Sequence, residues 1–130
     1  MLFLVLAAGC SVNKPGEKVV TPTPSKPVVG TLPTVQQVSV PAQYKNGDAT
    51  AGKQVFLTAG CKGCHTLKDA GATGIVGPNL DAAKPALSKV VLRVTKGQGA
   101  MPPFAGTLSD KQIANVAAYV VKATGGNPNG

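Results

Sequence analysis

The sequence has no tryptophan, a single histidine, three cysteines and two methionines, and its aromatic residues amount to two Tyr and three Phe. So little bulk in 130 residues leaves material for one small domain rather than two. The scarcity of histidine and cysteine rules out most plans for holding a metal with protein ligands alone, since a tetrahedral zinc site needs four of them. Acid is scarce as well: five Asp and Glu stand against thirteen Lys and Arg, for a formal net charge of +8. No apolar run approaches the roughly 20 residues that a helix needs to cross a bilayer. Glycine and proline, by contrast, are plentiful at sixteen and eleven. They dominate before about residue 47, and periodic Val, Leu and Ala follow, so a domain boundary is expected there.

The first ten residues, MLFLVLAAGC, form a short apolar run that ends in small residues and a cysteine. It fits the apolar core of a secretory signal. The ending resembles a bacterial lipoprotein signal, which implies cleavage after residue 9 and lipidation at Cys10. An ordinary cleaved signal with an incidental cysteine is the alternative. Residues 11 to 44 carry Pro15, Pro22, Pro24, Pro27, Pro33 and Pro41 among Val, Thr, Ser and Lys. Such a stretch lacks backbone donors and large side chains, so it is expected to stay extended and solvated. At about 3.1 Å per residue it reaches at most roughly 100 Å. With a lipid on Cys10, residues 10–45 would act as a tether; composition alone allows a leader without function equally well. The expected organisation is a leader over 1–9, the tether, a folded domain over 46–125 and a disordered tail over 126–130.

The pattern turns helical after Asn46. Asp48 can cap a helix in which Ala51, Gly52, Val55, Phe56 and Ala59 recur at three- and four-residue spacing up to Gly60. A second helix is expected to open at Pro85, carry Leu87, Val90, Val91 and Val94 on one stripe, and stop at Gly97. Ser109 and Gln112 read as a capping box for a third, with Ile113, Val116, Ala117, Val120 and Val121 inside and Gly125 and Gly126 at its end. Residues 66–84 and 98–108 show no periodicity, strand-like or otherwise. The expected class is all-α with a few short helices, and a domain this small calls for an internal staple.

CKGCH, residues 61–65, is where that staple is sought. If Cys10 is acylated or removed, only Cys61 and Cys64 remain. A thioredoxin-like dithiol would follow a strand in a βαβ unit, and none precedes residue 61. Zinc would require a second CxxC or a second histidine. Covalent haem attachment needs two thiols one helical turn apart for the vinyl groups and His65 beneath the iron, which uses every residue of the motif. One histidine supplies one axial ligand. After removal of the leader the remaining methionine is Met101, in GAMPPF, whose thioether sulfur suits low-spin haem iron. Pro102 and Pro103 would stiffen the loop that carries it.

From about Asp48 to Thr124 the chain resembles a class I cytochrome c: GKQVF, CKGCH, VGPNL, GAMPPF and a capped helix ending ANVAAYVVK follow in the family's order. The resemblance implies a small all-α fold of three to five helices around one covalent haem c, with thioethers at Cys61 and Cys64 and iron ligands at His65 and Met101. It further implies that the Pro78 carbonyl accepts from the other ring nitrogen of His65, that Leu80 packs on the haem, and that Tyr119 crosses the first helix near Gly52.

An iron with both axial positions filled suits one-electron exchange, so an electron carrier rather than an enzyme is expected. A haem-based redox or gas sensor, or a haem subunit of a larger oxidoreductase, is the alternative. Lys62, Lys68, Lys89 and Lys96 either steer docking onto an acidic redox partner or merely keep the domain soluble. The remaining expectations are an exported, lipid-anchored monomer with its haem domain on the outer side of a membrane, and no nucleic-acid partner.

Overall fold

The computed structural model describes residues 39–129. The expected leader over 1–9, Cys10 and the Pro-rich stretch up to residue 38 lie outside the described residues. The described part is helical, with five α-helices and one two-residue strand pair.

The fold begins earlier than the change in composition. Residues 42–44 fall within the spacer expected over 10–45, yet they form a 3-10 turn, Ala42–Tyr44. Tyr44 is buried in the core, and its hydroxyl donates to Asp110 Oδ1 at 3.0 Å. An aromatic ring whose polar tip finds a partner is enough to hold so short a segment against the domain.

α1 (Ala49–Thr58) is capped by Asp48, whose carboxylate accepts from the Thr50 and Ala51 amides at 2.8 and 3.4 Å. α2 is the single turn Cys61–Cys64. β1 (Thr66–Leu67) and β2 (Ala72–Thr73) then pair antiparallel, Thr66 with Thr73 and Leu67 with Ala72, around a 3-10 turn over Lys68–Ala70. Two residues per strand are too few for alternation to register in the sequence. α3 (Leu80–Ala83) is capped by Asn79, which accepts from the Ala82 amide at 3.2 Å.

α4 (Leu87–Lys96) starts two residues after Pro85 rather than at it, because Ala86 is extended and serves as the N-cap. Its stripe of Leu87, Val90, Val91 and Val94 is buried. α5 (Asp110–Ala123) opens on the capping box: the Ser109 amide donates to Gln112 Oε1 at 2.9 Å and the Gln112 amide to Ser109 Oγ at 3.3 Å. Every residue from Ile113 to Val121 is buried. α5 therefore has no solvent face over that stretch, being packed against α1, α4 and the Tyr44 turn. No helix among the described residues is long and apolar enough to cross a membrane.

α1 and α5 cross at Gly52. A Cβ there would lie 1.9 Å from the Asn115 carbonyl oxygen and 2.7 Å from Tyr119 Cβ, so the approach requires glycine. Asn115 also accepts from the Asp48 amide at 2.8 Å, tying the start of α1 to the middle of α5. Tyr119 lies edge-on to Phe56 with ring centroids 5.7 Å apart. Its hydroxyl donates to Asp69 Oδ2 at 2.7 Å, and Lys53 Nζ reaches the same oxygen at 3.0 Å. One tyrosine thus joins α5, α1 and the turn after β1.

This network makes stability depend on pH at both extremes. The Tyr119 hydroxyl, then Lys53, holds the Asp69 carboxyl below its ordinary 3.8, so its contribution is present above that value and is lost as pH falls through the depressed one. Burial, then Asp69, pushes the Tyr119 hydroxyl above its ordinary 10.0, so that contribution is present below pH 10 and is lost as pH rises through the raised value. Tyr119→Phe should lower stability near pH 7 by about 1 kcal/mol, below the roughly 1.5–3 kcal/mol of a hydrogen bond to a charged group because the Asp69 side chain is half exposed. In urea titrations the gap from the wild type should narrow toward both ends of the pH range.

Candidate haem site

α2 places the two thiols one turn apart, Cys61 half-buried and Cys64 exposed, both free. Burial, with Cys64 adding to it, pushes the Cys61 thiol above its ordinary value against a smaller backbone hydrogen-bond effect. His65 leaves the turn in extended conformation while its amide still donates to the Cys61 carbonyl at 3.0 Å. The bend after β2 closes under it: the Gly77 amide donates to the Cys64 carbonyl at 2.8 Å.

The His65 ring is clamped on two sides. Its Nδ1 stands 2.9 Å from the Pro78 carbonyl oxygen, and a carbonyl can only accept, so Nδ1–H donates and Nε2 is the ring nitrogen left without a hydrogen-bond partner among the described residues. A Cβ at Gly77 would lie 2.5 Å from His65 Cε1 and 2.7 Å from Nδ1, so only glycine lets the backbone lie against the imidazole. Leu80, the first residue of α3, is buried beside it.

Met101 comes from the other irregular segment. Its amide donates to the Gln98 carbonyl at 3.0 Å and its carbonyl accepts from the Gln98 amide at 2.9 Å, a closed bridge just beyond α4. The Phe104 amide donates to the Val94 carbonyl at 2.9 Å, so the loop is stitched back onto α4 on the far side of Pro102 and Pro103. The Met101 side chain is half-buried and packs on the core.

Cys61, Cys64, His65, Pro78, Leu80 and Met101 all line one cavity of about 630 Å³. Its back wall comes from Phe56 of α1, Val90 and Val94 of α4, and Val116 and Val120 of α5. The volume lies within the roughly 300–1,000 Å³ of cofactor pockets, and mostly apolar walls with a few polar groups are what such pockets have. No group of three or more His, Cys, Asp or Glu among the described residues is arranged to hold a metal ion. A thiol pair, one imidazole with a free Nε2 and one thioether around an apolar slot fit a macrocycle that brings its own equatorial nitrogens. The lining therefore fits a haem attached through thioethers.

Sequence reasoning leaves out three features of the site. Gly77 falls within VGPNL, but the sequence gives it no role of its own. Arg93 and Gln98 also line the cavity. Arg93 was legible in principle, since it lies between Val90 and Val94 on the edge of the buried stripe. Cys10 lies outside the described residues. Ile75 and Val76, 90% and 68% exposed, are apolar residues beside the cavity mouth to which the sequence assigns no role.

Comparison with known proteins agrees with this geometry. The family described as cytochrome c oxidase, cbb3-type, subunit III matches residues 47–120. Cytochrome c6 of Picosynechococcus is 48% identical over 85 residues, covering 56% of this chain and 71% of that protein. Cytochrome c6 of Diacronema lutheri is 40% identical and is covered over its whole length by 61% of this chain. Among solved structures, the c-type cytochrome SorU from Sinorhizobium meliloti superposes with a TM-score of 0.56 at 43% identity, covering 61% of this chain and 93% of that one. Cytochrome c6 from the diatom Phaeodactylum tricornutum gives 0.51 at 39% identity, covering 60% and 95%. A matching family over more than half the chain, two helical structural neighbours and a cavity built around CKGCH lead to one conclusion: the chain belongs to the class I cytochromes c, small electron carriers with one covalently bound haem c.

Proposed function

We propose that this chain carries single electrons between redox complexes outside the cytoplasm, with His65 and Met101 as the two axial iron ligands and Cys61 and Cys64 as the points of covalent attachment. The observation that carries the reading is that these four side chains, drawn from α2 and from the loop after α4, line the same apolar cavity. A bound haem c supplies an iron centre that changes its charge by one.

The chain's own residues do the rest. The Pro78 carbonyl fixes the His65 tautomer and ring, so Nε2 is the nitrogen available to metal. The Gln98 bridge and the Val94–Phe104 bond hold the backbone of the Met101 loop. Leu80, Val116 and Val120 exclude water from the slot. With both axial positions taken by the protein, no open iron site is left for a substrate, which favours electron transfer over catalysis. His/Met ligation also favours a raised potential.

Docking would use the edge where Cys64 and Val76 reach the surface. Ile75 and Val76 offer an apolar contact there, and the exposed Lys62, Lys68, Lys89 and Lys96 supply positive charge for steering toward an acidic partner. The description of the matched family favours a second reading, a haem subunit of a larger oxidoreductase. Co-purification of the native protein with other redox subunits at fixed stoichiometry would favour that reading over a shuttle.

Two experiments address ligation and attachment. Cys61→Ala with Cys64→Ala should give a largely unfolded chain by circular dichroism, because the cavity walls have little else to pack on; a folded, haem-free double variant would count against the assignment. Oxidised wild type should show the weak far-red band of a sulfur–iron(III) bond, and Met101→Ala should abolish it. Ready binding of carbon monoxide by the wild type, without that band, would favour a sensor or an enzyme.

The proposal extends to Cys10. Acylation there would place two or three fatty chains on a new N-terminus, and at about 0.8 kcal/mol per buried methylene two chains suffice for stable anchoring. The Pro-rich stretch would keep the haem domain close to membrane complexes while letting it swing between donor and acceptor. Wild-type protein should then fractionate with membranes until detergent is added, and Cys10→Ser should not. Intact mass spectrometry of the native protein decides it: a mature N-terminus other than Cys10, or Cys10 without lipid mass, leaves a freely diffusing exported carrier.

A further inference from the structure

We infer that Arg93 sets the reduction potential of the haem, by holding a fixed positive charge at the wall of its cavity. The inference rests on the haem c electron-carrier reading above. α4 presents Lys89, Val90, Arg93 and Val94 to the cavity, the pairs 89/93 and 90/94 each one turn apart. Val90 and Val94 are buried, as wall residues should be. Arg93 is half-buried beside them.

No carboxylate pairs with Arg93 among the described residues, where the one ion pair joins Lys53 and Asp69. None of the residues lining the cavity is acidic, so the wall carries two cations without a counter-charge from the protein, and the haem's own propionates are the only carboxylates that would face them. A leucine or methionine at 93 would complete the apolar stripe without the penalty of partly desolvating a charge. A guanidinium stays protonated at every accessible pH, so the charge is permanent. Lys89, one turn earlier, is exposed and its charge is better screened.

Reduction of the bound iron from iron(III) to iron(II) adds one electron from the redox partner, and no bond forms or breaks. The charge of the site falls by one. A fixed cation at the wall therefore favours the reduced state over the oxidised one, and an apolar, low-dielectric wall transmits the effect further than water would. Position 93 is well placed to act on the iron without disturbing its ligands. The Arg93 carbonyl accepts from the Gly97 amide at 2.8 Å, and the neighbouring Val94 carbonyl holds Phe104, so the Met101 loop is anchored through main-chain atoms that a side-chain substitution leaves in place.

The test is the midpoint potential of the purified holoprotein by spectroelectrochemistry, read together with the far-red sulfur–iron band and the haem content. Arg93→Gln should shift the reduction equilibrium threefold to tenfold toward the oxidised state, about 30–60 mV at 59 mV per tenfold for one electron. Arg93→Lys should stay within twofold of the wild type, and Lys89→Gln likewise. An unchanged potential in Arg93→Gln, with the band intact, overturns the assignment. So does a fall in Arg93→Lys as large as that in Arg93→Gln, since charge would then not be the cause. Where Arg93→Gln loses haem or the band, Arg93→Met, which completes the apolar stripe, takes its place beside Arg93→Lys: the same threefold-to-tenfold fall supports the assignment and an unchanged potential overturns it. A wild type lacking the band would sink Met101 ligation while leaving the potential measurement, and so the Arg93 result, interpretable.

Discussion

The close crossing of α1 and α5 at Gly52 is the constraint from which the site follows. With no Cβ at that point, the α1 backbone comes within van der Waals reach of the Asn115 carbonyl. Such an approach brings Phe56 on one helix and Val116 and Val120 on the other into one continuous wall, all three lining the cavity. Asn115 and Tyr119, polar residues inside an otherwise apolar helix, are satisfied across the same crossing by the Asp48 amide and by Asp69. A helix buried all round, as α5 is from Ile113 to Val121, tolerates two such groups only because each has its partner. The bond to Asp69 carries the crossing's rigidity outward to the turn after β1, four residues past His65.

What was legible in the sequence were the elements whose signals are local. The Asp48 cap, the α4 stripe and the Ser109–Gln112 capping box are each contained within a dozen residues, and each helix forms where those signals put it. Pro85 misleads by two residues because the tight connection from α3 leaves Ala86 extended, a matter of tertiary geometry. The β1–β2 pair and the one-turn helices α2 and α3 are shorter than any period that could announce them. Tyr44 was invisible for another reason. It sits in a proline-rich composition, and only the long-range bond to Asp110, 66 residues away, shows that it belongs to the core. For the site, CKGCH and the lone downstream methionine carry their chemistry in residue identity, so they can be read without coordinates. Gly77 cannot, because its significance lies in the imidazole it faces, and Arg93 shows in the sequence only its place at the edge of the α4 stripe, with the cavity beside it visible only in the fold.

The two sides of the cavity are held by different means. His65 is fixed through its side chain, with Nδ1 bonded to Pro78 and the ring lying against Gly77. Met101 has no comparable side-chain partner, since a thioether offers only a weak acceptor. Its loop is fixed instead through the main chain, by the Gln98 bridge and the Val94–Phe104 bond. α4 is thus both the anchor of that loop and the element that presents Arg93 and Lys89 to the cavity. Main chain and side chain divide the tasks: the carbonyls of Arg93 and Val94 hold the segment after the helix, and the side chains of Arg93 and Lys89 charge the wall. Because the anchoring uses main-chain atoms, substitutions on that face can alter the electrostatics of the site and leave the Met101 loop in place. In a scaffold built this way the charge of the cavity wall can change one side chain at a time, without rebuilding the fold that the α1–α5 crossing holds together.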